Sequence, residues 1–100
     1  MRFYFVKLEK KSSTLFGKES ALFVPSGTMA NLIAVLSHCE RGNEFLLGNK
    51  SHIFKYEAGG TSVLGGLLSH QLPNNADGTI DIENIATAIN TSNDSHYAMT

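Results

Sequence analysis

The stretch ALFVPSGTMANLIAVL, residues 21–36, places a short apolar run directly before an amphipathic pattern. The run at residues 21–24 is closed by Pro25, which predicts a strand buried on both faces. Beyond the turn after Pro25, four apolar residues recur at the spacing of one helix face, so a helix is predicted up to Arg41-Gly42. These residues are Met29, Leu32, Ile33 and Leu36. The stretch therefore predicts a strand that passes through a tight turn into a helix.

Upstream of this stretch, residues 6–16 carry apolar side chains at helical spacing among charged ones, which predicts a short helix. Gly17 follows at the position where a left-handed residue commonly ends a helix. An opening helix is therefore expected to precede the strand.

Downstream, two more apolar runs, at residues 45–47 and 67–72, predict further strands. A short helix at 54–59 is expected between them. A turn-rich segment follows the later strand, and Asp81 is predicted to cap a last helix that ends within residues 90–94. Strands and helices thus alternate about three times, which predicts an α/β fold with a mainly parallel sheet.

Composition and charge limit the possible functions. The chain has 100 residues, of which 42% are hydrophobic, and this suits one globular domain at most. A formal net charge of -1 gives no sign of nucleic acid or an anionic membrane as a partner. No run of about 18 apolar residues occurs, so no membrane-spanning helix is expected. Cys39 is the single cysteine, which rules out an internal disulfide and favours a reducing, cytoplasmic location.

Ser26-Gly27-Thr28 is a candidate anion site because it lies between a predicted strand and the start of a predicted helix. Free amides and the helix dipole favour a phosphate at such a position, and Gly27 permits close backbone approach. The alternative is that Ser26 or Thr28 only caps the helix. Both interpretations are compatible with the tripeptide alone.

His52 and Glu57 are candidate catalytic residues. His52 is predicted to lie in a loop after a strand, at the edge where open α/β sheets bind ligands, and its imidazole could stack on an aromatic cofactor. Glu57 could act as a base or hold a water molecule. A solvated histidine and a surface carboxylate paired with a lysine are the alternatives.

No metal site is predicted. The histidines and the cysteine show no paired ligand spacing, since two are adjacent and the others are scattered. These residues are His38, Cys39, His70 and His96.

Five segments, read together and in order, resemble the cofactor domain of low-specificity L-threonine aldolases, which are fold-type I pyridoxal-phosphate enzymes. The resemblance covers nearly the whole chain. The segments are residues 15–31, 36–42, 51–53, 56–60 and 77–81.

The resemblance implies a fold, a cofactor and a reaction. Members of this family hold pyridoxal 5'-phosphate and cleave threonine or allo-threonine to glycine and acetaldehyde by a retro-aldol reaction, as homotetramers. By this resemblance Ser26, Gly27 and Thr28 would bind the cofactor phosphate and His52 would lie over its ring. His52, or a water held by His52 and Glu57, would take the substrate hydroxyl proton.

The resemblance also implies that residues 1–100 form the N-terminal part of the large, cofactor-binding domain. The family's Schiff-base lysine, its aspartate partner of the pyridine nitrogen and a nearby arginine are expected downstream, so the chain alone is expected to be inactive. Two alternatives stay open. One is another fold-type I enzyme, such as a β-eliminating lyase or an aminotransferase. The other is a non-catalytic fragment that binds phosphate or self-associates.

Overall fold

The computed structural model describes residues 2–89 and 98–100. Its elements in chain order are α1 (Arg2–Phe16), α2 (Gly27–His38), β1 (Glu44–Gly48), α3 (His52–Lys55), α4 (Gly60–Val63), β2 (Leu68–Leu72) and α5 (Ile82–Ala88).

The opening helix is confirmed, although α1 begins at Arg2 rather than near residue 6. Gly17 ends it with a left-handed φ of 63°. The amide of Gly17 donates to the Thr14 carbonyl at 3.2 Å, and the amide of Lys18 donates to the Ser13 carbonyl at 2.9 Å. This pair of bonds is a Schellman motif, so the helix end is stabilised by local contacts.

The strand predicted at residues 21–24 is wrong, because this segment has no regular secondary structure. Leu22 and Phe23 are 67% and 44% exposed rather than buried. The Phe23 amide donates to a Glu9 carboxylate oxygen at 2.8 Å, and the Phe23 ring stacks on Phe5 with ring centroids 4.7 Å apart. A strand requires a neighbouring strand for its backbone hydrogen bonds, and within the described chain this segment packs against α1 instead.

The helix predicted after Pro25 is confirmed as α2, which ends at His38, ahead of the expected Arg41-Gly42 boundary. Beyond His38, Cys39 is extended, and the Glu40 amide donates to the Asn43 side chain at 2.7 Å. A turn therefore leads from α2 into β1.

The predicted strands at 45–47 and 67–72 are confirmed as β1 and β2, which pair in parallel from Glu44 opposite Leu68 to Gly48 opposite Leu72. With helices between and around two parallel strands, the α/β class is also confirmed. The small core of the described residues lies around this sheet. Its buried side chains are those of Leu47, Thr61, Leu67, Leu72 and Ala88.

Two asparagines join the chain segments that follow the two strands. The Lys50 amide donates to Asn74 Oδ1 at 2.9 Å, and the Asn74 amide donates to Asn49 Oδ1 at 3.3 Å. The Asn74 side chain lies so close to Gly48 that a Cβ at this glycine would collide with it. Parallel strands end at the same edge of a sheet, and these bonds fix the loop that leads from β1 to His52.

The short helix predicted at 54–59 is replaced by two shorter helices, α3 and α4. Ala58 and Gly59 separate them with left-handed φ angles of 54° and 64°, which a continuous helix does not tolerate. His52 is therefore the first residue of α3 rather than a loop residue.

The last helix is confirmed as α5, and Asp81 occupies its N-cap position without making a capping bond. The Asp81 carboxylate instead accepts from the Asn75 side chain at 2.9 Å. The termination expected at 90–94, like His96, lies outside the described residues. In the part of the chain that the structure describes, no helix has the length and apolar character needed to cross a membrane.

Candidate functional site

The N-terminus of α2 provides open backbone donors. Ser26 is extended, and its Oγ accepts from the Met29 amide at 3.2 Å, so its hydroxyl caps the helix as one interpretation of the sequence predicted. No hydrogen bond among the described residues reaches the amides of Gly27 and Thr28. A Cβ placed on Gly27 would meet nothing within 4 Å. A ligand can therefore approach this part of the backbone.

His52 and Glu57 form a close pair. His52 Nδ1 lies 2.7 Å from Glu57 Oε2, and the two side chains are 60% and 5% exposed, respectively. The Tyr56 ring lies beside the imidazole, with centroids 5.4 Å apart and planes tilted by 48°. A buried carboxylate thus holds an imidazole that is largely open to solvent.

Asn31 links this pair to α2, and its role was missed by the sequence interpretation. Asn31 Nδ2 donates to Glu57 Oε2 at 2.8 Å, the same oxygen that contacts His52. Asn31 lies three residues after Thr28, so the two share one face of α2. The Thr28-x-x-Asn31 spacing was the available signal, but the partner of the asparagine depends on the tertiary fold.

A cavity of about 130 Å³ joins Thr28 to Glu57. Apolar side chains and the start of α4 complete its wall. The other lining residues are Leu32, Ile53, Gly60, Thr61 and Leu64. The structure therefore brings Thr28 and Glu57 together in one cavity lining, and His52 is joined to them by its hydrogen bond to Glu57. Ser26 and Gly27 lie outside this lining, at the exposed terminus of α2.

Hydrogen bonding keeps Glu57 ionised. The Asn31 side chain has the largest effect in lowering the pKa of this carboxyl group below its ordinary value, followed by the hydrogen bond from His52. Desolvation opposes these effects, and attraction to a charged His52 adds to them. An ionised carboxylate can only accept, so His52 Nδ1 must carry the proton in this bond. In the neutral imidazole, Nε2 is then an unprotonated acceptor.

His38, His70 and the lysines are separate from this pair. His38 ends α2, and His70 Nδ1 lies 2.9 Å from Glu44 Oε1 on the sheet. Within residues 2–89 and 98–100, no three His, Cys, Asp or Glu side chains are grouped as a metal site requires. All six lysines are exposed. They are Lys7, Lys10, Lys11, Lys18, Lys50 and Lys55.

Fold and site together define an α/β protein in which an open helix N-terminus is linked to a carboxylate–histidine pair. Residues 4–100 match the family described as beta-eliminating lyase. The chain belongs to the beta-eliminating lyase family, which confirms the resemblance inferred from the sequence.

Curated relatives carry threonine aldolase names. The chain is 50% identical over 97 residues to the probable low-specificity L-threonine aldolase 2 of Arabidopsis thaliana, over 95% of this chain and 27% of that protein. It is 44% identical over 93 residues to the low specificity L-threonine aldolase of Escherichia coli strain K12, over 93% of the chain and 28% of the relative. The enzyme of that name from Saccharomyces cerevisiae is 32% identical over 74 residues, over 72% of the chain and 19% of the relative. The chain thus spans between 19% and 28% of the length of these three relatives.

Proposed function

We propose that this chain is part of a pyridoxal-phosphate-dependent lyase of the threonine aldolase type. The intact protein would cleave L-threonine or L-allo-threonine into glycine and acetaldehyde, and so act in threonine breakdown and glycine formation. The observation that carries the proposal is the hydrogen-bonded connection from α2 through Asn31 and Glu57 to His52. The names of the relatives support the choice of reaction.

The start of α2 fits the phosphate end of the cofactor. Two neighbouring amides without partners among the described residues, an open approach over Gly27 and the positive end of a 12-residue helix dipole all favour a phosphate ester. The Thr28 hydroxyl can add a donor. The Ser26 hydroxyl already accepts from Met29, so its part would be to hold the helix terminus in shape while its own proton stays available.

His52 is the candidate for both ring contact and proton transfer. When bound, pyridoxal phosphate supplies a pyridine ring that accepts the electron pair released as the Cα–Cβ bond breaks. The exposed imidazole offers a face for stacking, and its Nε2 can take the β-hydroxyl proton of the substrate. Glu57 then stabilises the imidazolium that forms, because it stays ionised and contacts Nδ1. A water molecule held by the same pair is an equivalent route for the proton.

The chain's own lysines do not fit a covalent anchor for the cofactor. All six are exposed, whereas a lysine that condenses with a carbonyl group is usually activated by desolvation or by a neighbouring cation. We therefore propose that residues 1–100 supply the phosphate cradle and the histidine of a larger cofactor-binding domain, and that catalysis belongs to the intact protein.

Cofactor titration tests the binding part of the proposal. Pyridoxal phosphate added to the 100-residue chain should change its absorbance spectrum on binding, and the Thr28→Ala, His52→Ala double variant should lose this change. A matched control is the Thr87→Ala, His38→Ala double variant, which removes the same two residue types from α5 and from the other end of α2. Equal spectra for the two double variants would contradict the proposed site.

A glycine assay tests the catalytic part. The purified 100-residue chain should produce no glycine from L-threonine with added pyridoxal phosphate, because no buried lysine is present among its described residues. Measurable turnover would show that the anchor argument is wrong.

A second candidate reaction is favoured by the family description itself, which names β-elimination. A lyase of that kind would release a β-substituent and form a keto acid and ammonia, rather than glycine and an aldehyde. Product analysis on the intact protein distinguishes the two reactions.

A further inference from the structure

Asn31 is partly buried on α2, and its side-chain amide is directed at the Glu57 carboxylate. The Asn31 Nδ2 to Glu57 Oε2 distance is 2.8 Å, and the His52 Nδ1 to Glu57 Oε2 distance is 2.7 Å. A single carboxylate oxygen therefore receives two donors, one from a helix and one from the candidate catalytic imidazole. The amide bond fixes where this oxygen lies relative to α2.

The Glu57 and His52 side chains differ in how closely the surrounding protein confines them. Glu57 is 5% exposed, so a loss of the Asn31 donor would leave a nearly buried carboxylate with an unmet hydrogen bond. His52 is 60% exposed, and its ring can rotate or exchange tautomers with little hindrance from packing. The Glu57 carboxylate therefore holds the His52 imidazole. The carboxylate is itself held by Asn31, which lies on α2 and outside the segment from α3 to α4.

We propose that Asn31 is a positioning residue that keeps His52 in the Nδ1–H tautomer by fixing Glu57 Oε2. The role of the resulting free Nε2 as a base rests on the proposed function, whereas the tautomer is a property of this chain without any cofactor. Asn31 itself contacts neither the substrate nor the reacting atoms in this proposal.

The test is ¹⁵N NMR of the histidine rings in the chain without cofactor, at a pH where the imidazoles are neutral. In the wild-type chain the Nδ1 and Nε2 shifts of His52 should mark Nδ1–H as the major form. In Asn31→Leu, which keeps the size of the side chain but removes the donor, the shifts should move toward those of a solvated, neutral histidine side chain, in which Nε2–H predominates. Unchanged His52 shifts in a folded Asn31→Leu chain would overturn the proposal.

Two controls separate positioning from unfolding. Asn84→Leu makes the same change at a partly buried position on α5 and should leave the His52 shifts as they are. His70, whose Nδ1 contacts Glu44 across the sheet, reports in the same spectra whether the strands remain paired. If Asn31→Leu also alters His70, the smaller substitution Asn31→Ala decides, because it removes the donor without adding apolar bulk or a charge. A wild-type tautomer at His52 in a folded Asn31→Ala chain would equally reject the proposal.

The outcome is independent of cofactor binding. A chain that fails the pyridoxal phosphate titration but shows the Asn31-dependent tautomer would reject the proposed function and retain the positioning role. If the chain binds the cofactor but the His52 tautomer is the same with and without Asn31, only the positioning role is rejected.

Discussion

Residues 2–25 and residues 44–72 are held in shape by different kinds of contact. α1 has no buried residue, and it is held by its own backbone bonds, the Gly17 cap and exposed contacts of Phe5 and Glu9 with Phe23. The segment from β1 to β2 contains most of the buried residues, and its strands join positions 24 residues apart in sequence. The opening helix therefore depends mostly on residues close to it in sequence, whereas the sheet depends on partners distant along the chain.

Two leucines, one in each region, should differ most in their contribution to stability. Leu67 is 2% exposed beside the sheet, and Leu15 is 76% exposed on α1. Leu67→Ala should lower the free energy of unfolding by about 2–5 kcal/mol, because it removes a buried side chain and leaves a cavity. Leu15→Ala should change it by no more than about 0.5 kcal/mol. Urea denaturation measures both, and similar losses for the two variants would mean that the regions are not held differently.

Two glycines test how tightly the edge of the sheet is packed. Gly48→Ala should cost about 1–3 kcal/mol of stability, because the new Cβ collides with the Asn74 side chain. That side chain cannot simply move away, since it bonds to the Lys50 amide and the Gly78 carbonyl. Gly60→Ala is the control, because its Cβ would make only an ordinary contact of 3.9 Å with Leu32. Equal melting temperatures for the two variants would contradict the close approach.

A smaller change in stability is expected at acidic pH from Glu57, which links α2 to the segment after β1. The pKa of Glu57 is lowered in the folded chain from an ordinary value of 4.5, so between the two values the unfolded chain binds more protons. The stabilisation from this group is therefore complete above pH 4.5 and is lost as pH falls through the lower, folded value. Glu57→Gln should flatten this part of the stability curve, measured by urea denaturation at a series of acidic pH values. A wild-type slope in the variant would show that Glu57 is not the responsible group.

The sequence predicted the elements whose signals are local. The periodicity of α2, the apolar runs of β1 and β2, and the glycine after α1 identified those elements and the α/β class. Residues 21–24 carry the same kind of apolar run as β1, yet only β1 has a parallel neighbour among the described residues. An apolar run encodes a preference for burial and not the presence of a partner.

The residues of the candidate site that have local sequence signals were predictable, and the one whose contact is distant in sequence was not. Ser26, Gly27 and Thr28 were located by the helix start, and the bond between His52 and Glu57 spans only five residues. Asn31 lies 26 residues from Glu57 in sequence, and its contact is created by the packing of α2 against the segment after β1. No local pattern in the sequence specifies such a contact.

The reciprocal bonds between residues 49–50 and Asn74 have a consequence for motion. Besides these bonds to Asn74, which lies two residues beyond β2, the Asn49 amide donates to the Leu72 carbonyl at 2.8 Å, so it can exchange its hydrogen with water only when the ends of the two strands separate. The backbone just before His52 is thus expected to open together with the sheet and not as an independent loop. Slow rearrangement near the imidazole would then be confined to the residues that follow Ser51, up to the break between α3 and α4 at Ala58 and Gly59.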